Sequence, residues 1–493
     1  MDQTQAPLLQ AMVERSKRKE SSFHVPGHKF GASLQGEEKD FFGSVMELDY
    51  TEIEGLDDLH HPEGPILAAQ QLAAECFGAE ETFFLVGGST AGNLALIGAV
   101  CQQDDLILVQ RNAHKSVIHA LMLARARAVM LEPEVDRQTG IAGGVARTTL
   151  HTALERYPQA KAVFLTNPNY YGMGWDLEPY ARLVHGAGMA LLVDEAHGAH
   201  FGLHPGVPVS ALSRGADGVV QSTHKMLMAM TMGAMLHVQG NRIPRDVLRE
   251  RLTMLQSSSP SYPIMASLDM ARRYAAIRGE AEIGAGLEEL RRFREALAGM
   301  NGTGIRVLMP EPEANAYDVW DPYKLVMEDA AGGRTGFQLL QELAGGGIIG
   351  EMADDRYAVL AASPATGRED LERLAEVIAS LPGSSGYSGG EAADVVSANL
   401  AVTAAAADPV SEPVPMGLTG VNRGTPMPLG MAVGMRAAQA VVPYPPGIPL
   451  LIPGETISAG AAERILRLYR AGAKFQGAPP GPGCSILVTG QDS

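Results

Sequence analysis

From residue 64 to 240, short unbroken apolar runs alternate with stretches of helical character. The runs Thr82–Val86, Leu106–Val109, Ala128–Leu131, Ala162–Thr166, Ala190–Val193, Gly218–Gln221 and Ala234–Val238 predict strands. Most are continuously apolar and do not alternate, which is the pattern of strands buried on both faces. Pro65–Cys76, Ala91–Val100 and Leu177–His185 predict helices between them. Strands and helices in alternation point to an α/β layer around a mainly parallel sheet.

The flanks read differently. A first helix is expected over Ala6–Lys19, and Pro26-Gly27 then interrupts FHVPGHKFG (Phe23–Gly31), which cannot be regular helix. A long helical stretch, Ser267–Gly299, closes the main α/β region. Beyond it Ile305–Met309, Tyr323–Met327 and Ala358–Ala362 predict strands, and Gly336–Ala344 and Glu369–Ser380 predict helices. Residues 382–415 are rich in Gly, Ser, Ala and Pro and read as a flexible connection, with Ala398–Ala407 compatible with helix. The prolines of VVPYPPGIPLLIPGE (441–455) force extended, irregular backbone. The expected organisation is an N-terminal segment 1–60, a major domain 61–300, a small α/β domain 301–381, the connection 382–415 and a C-terminal α+β domain 416–493.

Composition narrows the function classes. A chain of 493 residues is too long for one core, so two or three domains are expected. With 46% hydrophobic and 19% charged residues, disorder is excluded for the chain as a whole. Lys and Arg number 39 against 56 Asp and Glu, a net charge of −17 that repels nucleic acid and anionic membranes and favours cationic small molecules. Cys76, Cys101 and Cys484 include no CxxC pair, which argues against a disulfide framework or a zinc ribbon. The first twenty residues hold no signal-peptide core, and no apolar run is long enough to span a bilayer. A cytoplasmic protein is expected.

Three elements carry candidate chemistry. Asp194 ends the apolar run of MALLVDEAHGAH, which places a carboxylate at the carboxyl edge of a parallel sheet, where open α/β sheets bind ligands. Alone, an aspartate there is as readily a turn or a helix cap. The run GVVQ leads straight into STHK, so Ser222, His224 and Lys225 follow another strand end, 31 residues after Asp194. A surface lysine is the ordinary reading anywhere, but Lys225 precedes the charge-free MLMAMTMGAMLHV, and burial favours the neutral amine that forms imines. FFLVGGSTAGN (83–93) sets Ser89 and Thr90 where a helix begins, which serves equally as a helix cap or as a phosphate cradle. Together, a phosphate site, a carboxylate and a buried amine are the three anchors of pyridoxal phosphate. His114, in RNAHKS, adds a flat ring near the same edge; alone it would be a loop histidine.

These residues resemble the fold-type I (aspartate aminotransferase-like) pyridoxal-phosphate enzymes, and specifically the bacterial ornithine/lysine/arginine decarboxylase family. FHVPGHKFG, LDDLHHPEGPI, GGSTAGN, RNAHKS, TNPNYYGM, LLVDEAHGAH, QSTHKMLMAMTMGAMLHV and VVPYPPGIPLLIPGE occur in family order from about residue 21 to 458, in a form without the N-terminal receiver-like domain. The resemblance implies that Lys225 carries the cofactor as a Schiff base, Asp194 pairs with the pyridinium nitrogen and His114 stacks over the ring. It also implies that Ser89, Thr90, Ser222 and His224 hold the phosphate, that Ala196 packs under the ring, and that His197 lies near the phenolic oxygen. Glu351, in GIIGEMAD, resembles the acidic residue near the distal cation of the substrate. GGST and the methionine-rich MAMTMGA depart from the commoner family pattern at the phosphate loop and the substrate pocket.

The implied activity is decarboxylation of lysine or arginine, ahead of ornithine, to cadaverine, agmatine or putrescine, in a homodimer or higher assembly with the active site near the interface. No arginine identifiable in the sequence pairs with a substrate carboxylate as in aminotransferases, which favours loss of that carboxylate. Aminotransfer, β-elimination and a catalytically silent binding protein are the competing readings. A metal site at His24, His28, His60 and His61 is disfavoured, because Pro26-Gly27 denies the HxxxH pair a helix.

Overall fold

The computed structural model describes residues 1–18, 20–300, 303–311, 314–383, 408–417, 424–444, 446–470, 472–477 and 484–489. Ala398–Ala407 lies outside them. The chain divides into two units, one of Met1–Val100 with Ala190–Glu282, the other of Cys101–Met189 with Ile283–Ser493. The 37-residue helix Tyr262–Ala298 belongs to the first unit up to Glu282 and to the second thereafter.

In the first unit four strands lie side by side in the order Glu81–Leu85, Ala234–Val238, Gly218–Gln221 and Ala190–Asp194. The last pair is parallel and the other two antiparallel. All residues of the last three strands are buried, as their unbroken apolar character predicts. Helix Gly88–Val100 packs closely on this sheet because Gly92 has no side chain: a Cβ there would lie 2.8 Å from Leu85 and 2.9 Å from Val220. The N-terminal helix Pro7–Ser16 is part of the core, with Leu8 and Met12 beside Ile66, Phe84, Met235 and Tyr262. A fully buried pair fixes it. Arg272 meets Asp269 at 2.6 Å and donates to the carbonyls of Gln3 and Gln5, while Asp269 accepts from the Leu8 amide.

In the second unit the strands Ala162–Thr166, Leu106–Gln110 and Arg127–Leu131 run parallel, and Val414–Pro415 joins antiparallel. A four-stranded antiparallel sheet follows, in the order Ile305–Val307, Lys324–Asp329, Ala358–Ala361, Met352–Ala353. The C-terminal region builds two short ribbons, Thr425–Pro428 with Ser485–Val488 and Val441–Pro443 with Phe475–Gly477. Leu429, Val441, Leu451, Ile457, Ile465 and Ile486 form their core. No described helix is long and apolar enough to cross a membrane.

Candidate active site

Strands Ala190–Asp194 and Gly218–Gln221 are parallel, with Asp194 opposite Val220, so both chains leave the sheet at one edge. One continues as Glu195-Ala196-His197, the other as the short turn Ser222–Met226 that carries Lys225. Asp194 is buried. Asn93 donates to its Oδ2 at 2.9 Å and the Ala196 N–H to its Oδ1 at 3.1 Å. Burial pushes the Asp194 carboxyl above its ordinary value, while the positive charge of Lys225, then the bonds from Asn93 and Ala196, pull it down. A carboxylate so placed is suited to a fixed positive charge beside it.

Lys225 is half-buried, its Nζ 3.1 Å from Nε2 of His197. The turn beneath it is tied down. The Lys225 amide donates to the Ser222 carbonyl at 3.0 Å, and the His224 amide and Nδ1 lie 3.1 and 3.0 Å from the Gly233 carbonyl. Ser222 is fully buried, and its Oγ has no hydrogen-bond partner among the described residues. Such a hydroxyl costs about 1–3 kcal/mol unless something meets it. Ser89, half-buried, and Thr90, exposed, stand in the first turn of helix Gly88–Val100, the helix that also brings Asn93 to Asp194. An orphaned hydroxyl, a helix N-terminus, a buried carboxylate and an amine fit the phosphate, pyridinium and aldehyde of pyridoxal phosphate.

Two features escaped the sequence reading. Asn93 stands inside GGSTAGN but carries no signal of its own; only the fold turns it toward Asp194. The second is a buried relay starting at Glu195. This carboxylate accepts from Ser210 Oγ at 2.8 Å, the Ala211 amide at 2.7 Å and Gln221 Nε2 at 2.7 Å. Gln221 Oε1 lies 3.2 Å from His237 Nε2, and His237 Nδ1 lies 2.8 Å from Thr82 Oγ1. With the Gln221 NH2 on Glu195, its oxygen faces His237, which therefore carries its proton on Nε2. Burial pushes the His237 pKa down to about 3 and that of Glu195 up to about 7. The relay ties together all four strands of the first unit, one residue from Asp194 and one from Ser222.

Ser89, Thr90, Asp194, Ala196, His197, Ser222, His224 and Lys225 thus lie in the first unit, whereas His114 and Glu351 belong to the second. His114 is the N-cap of helix Lys115–Ala124; its Nδ1 accepts the Ser116 amide at 3.2 Å. Glu351 is exposed, with its amide bonded to the Val359 carbonyl at 2.9 Å. The four histidines near the N-terminus do not converge. His28 lies 3.2 Å from Asp49, His60 2.8 Å from the Ser257 carbonyl, His61 3.2 Å from Glu63, and His24 3.0 Å from the Val25 carbonyl.

The fold and these groups define a pyridoxal-phosphate-dependent enzyme of fold type I. Comparison with known proteins narrows the class. Residues 6–328 match the model of the Orn/Lys/Arg decarboxylase major domain, and residues 421–486 that of the C-terminal domain. An uncharacterised Bacillus subtilis protein, YaaO, is 41% identical over 479 residues, 96% of each chain. Arginine decarboxylase of the same organism is 33% identical over 482 residues, covering 97% of this chain and 96% of the relative. Among solved structures, Francisella novicida lysine decarboxylase LdcF superposes with a TM-score of 0.81 at 21% identity, over 98% of this chain and 80% of the other. The chain belongs to the Orn/Lys/Arg decarboxylase family, and is a pyridoxal-phosphate-dependent decarboxylase of basic amino acids.

Proposed function

We propose that the protein decarboxylates L-arginine or L-lysine, ahead of L-ornithine, releasing CO2 with agmatine or cadaverine. The observation that carries the reading is Lys225 leaving the sheet beside Asp194, with Asn93 and Ala196 holding that carboxylate in place. Arginine ranks first because relatives named arginine decarboxylase match over 95–97% of this chain, whereas the Pseudomonas aeruginosa lysine decarboxylase LdcA matches over 72%.

Bound pyridoxal phosphate supplies the electron sink for the bond between Cα and the carboxylate. Lys225 provides the amine that holds its aldehyde, and Asp194 keeps a proton on the ring nitrogen. Ser89, Thr90, Ser222 and His224 hold the phosphate, Ala196 packs under the ring, His197 faces the phenolic oxygen, and His114 stacks over the ring. Glu351 receives the distal cation of the substrate. The active assembly is a cytoplasmic homodimer or larger oligomer. Free Cys76, Cys101 and Cys484 support the compartment, and the exposed Phe23, Phe41 and Phe42 of the isolated chain support the assembly.

The test is a product assay on purified protein with pyridoxal phosphate and each of the three amino acids. Release of CO2 with one matching amine, absent in Lys225→Ala, is expected. Formation of a keto acid without CO2 would overturn the reading in favour of aminotransfer.

A further inference from the structure

The proline-rich segment 441–455 is gripped by the side chain of Arg111. Arg111, three residues before His114, spends its guanidinium on this segment alone among the described hydrogen bonds. Its Nε meets Glu455 Oε1 at 3.0 Å and its Nη2 meets Oε2 at 2.8 Å. Nη1 donates to the Pro449 carbonyl at 2.8 Å, and Nη2 to that of Leu450 at 3.0 Å. A bidentate, largely buried pair of this kind fixes direction as well as distance. Glu455 is itself held, its Oε2 accepting the Ile452 amide at 3.0 Å. The guanidinium also offsets a second carboxyl: burial raises the pKa of Glu132, and Arg111 lowers it.

The same segment reaches the histidine. Gly447 has φ of +88°, a conformation glycine adopts freely, and its carbonyl accepts the Lys115 amide at 2.9 Å. A Cβ on Gly447 would stand 3.1 Å from both Cδ2 and Nε2 of His114, so the ring lies directly against the glycine backbone. The opposite edge of the ring is held at Nδ1 by Ser116. Lys115 adds a cation over the Tyr444 ring at 5.2 Å and a hydrogen bond to Gln476.

We propose that the segment Val441–Glu455 is a positioning element of the cofactor site, in which the Arg111–Glu455 clamp seats Gly447 against His114 and sets the plane of that ring. This rests on the reading of His114 as the residue that stacks on the cofactor. Arg111, Gly447 and Glu455 are positioning residues, since they act through His114. Glycine at 447 is the residue that lets the Cδ2–Nε2 edge of the ring come against the backbone.

The experiment is a double-mutant cycle read by the affinity for pyridoxal phosphate and by the visible circular dichroism of the bound cofactor. Gly447→Ala and the isosteric Glu455→Gln are each combined with His114→Ala, and far-UV circular dichroism reports folding. Each single variant is expected to bind the cofactor roughly tenfold more weakly and to change its visible dichroism. In the His114→Ala background the same substitutions are expected to add nothing. Additive losses, or single variants indistinguishable from the parent, would overturn the proposal while leaving the cofactor reading intact. If Gly447→Ala does not fold, the Glu455→Gln cycle decides alone. A parent protein with no visible band that Lys225→Ala removes would overturn the cofactor reading itself, and the proposal with it.

Discussion

At the scale of single residues, burial raises the pKa of two neighbouring carboxyls, Asp194 and Glu195, which have different partners. Asp194 has a buried donor on each oxygen and the Lys225 charge nearby, which partly offset the burial that raises its pKa. Removing the Asn93 amide takes one of those donors away. Asn93→Ala is expected to weaken cofactor binding by roughly tenfold to a hundredfold, the worth of a hydrogen bond to a charge, measured by cofactor retention on dialysis. Glu195 is shifted in the same direction, with neutral donors where Asp194 has a cation. Its pKa is raised from 4.5 to about 7, chiefly by burial, with the bonds from Ala211, Gln221 and Ser210 lowering it. The folded protein therefore binds this proton more tightly than the unfolded chain. The stabilisation is complete below pH 4.5 and is lost as the pH climbs to about 7. Glu195→Gln removes the titration. Unfolding by urea at pH 5 and pH 8 is expected to show the parent losing stability relative to the variant, by on the order of 3 kcal/mol at most. An unchanged difference between the two pH values would mean that Glu195 does not titrate there.

At the scale of elements, strand Glu81–Leu85 pairs on one side with Ala234–Val238, and glutamines serve its other side. The Phe84 amide donates to Gln70 Oε1 at 2.9 Å, and the Val86 amide to Gln256 Oε1 at 2.8 Å. Side-chain amides thus replace a missing strand and close an edge open to pairing with another chain. Gln256→Leu strands a buried amide and is expected to cost about 1–3 kcal/mol, read from the shift of the urea midpoint. Such roles are invisible in a linear sequence, where both glutamines are merely polar. Other elements were legible because burial on both faces leaves an unbroken apolar run: Ala162–Thr166, Gly218–Gln221 and Ala234–Val238 end where the pattern ends. An apolar run carries no direction, so nothing in it announced that Ala234–Val238 pairs antiparallel on both sides. Helix Gly36–Glu47 went unread because none of its residues is buried, and a helix without a core-facing stripe has no periodic signal. The long helix starts at Tyr262, earlier than Ser267, since Pro263 in a first turn forfeits no intrahelical bond. The site divides in the same way. Asp194 and Lys225 could be read from strand ends, but Arg111 and Glu455 meet across 344 residues, a pairing no local spacing encodes.

At the scale of the whole molecule, the isolated chain shows apolar side chains that a lone soluble protein would bury. Phe23 is 98% exposed, Phe41 78% and Phe42 59%, with Val25 and Val45 exposed in the same N-terminal stretch. Met228, Met230 and Met232 are also exposed, in the loop that follows Lys225. Single exposed apolar residues are ordinary, but aromatic residues this concentrated form a candidate surface for a partner chain. Helix Gly36–Glu47 gives the clearest case: none of its residues is fully buried within its own chain, and it presents Phe41 and Phe42 side by side. A second copy of the chain is the proposed cover, and methionines, being flexible and polarisable, suit a contact that must close beside a working site. Sedimentation equilibrium is expected to give at least twice the chain mass. Phe41→Asp with Phe42→Asp adds two charges to a surface meant to be dry, and should shift the protein toward monomer. If the interface helps to complete the active site, decarboxylation falls with the dimer fraction and recovers on raising the protein concentration. Full activity in a demonstrated monomer would show instead that one chain suffices, and that the exposed phenylalanines serve a different partner.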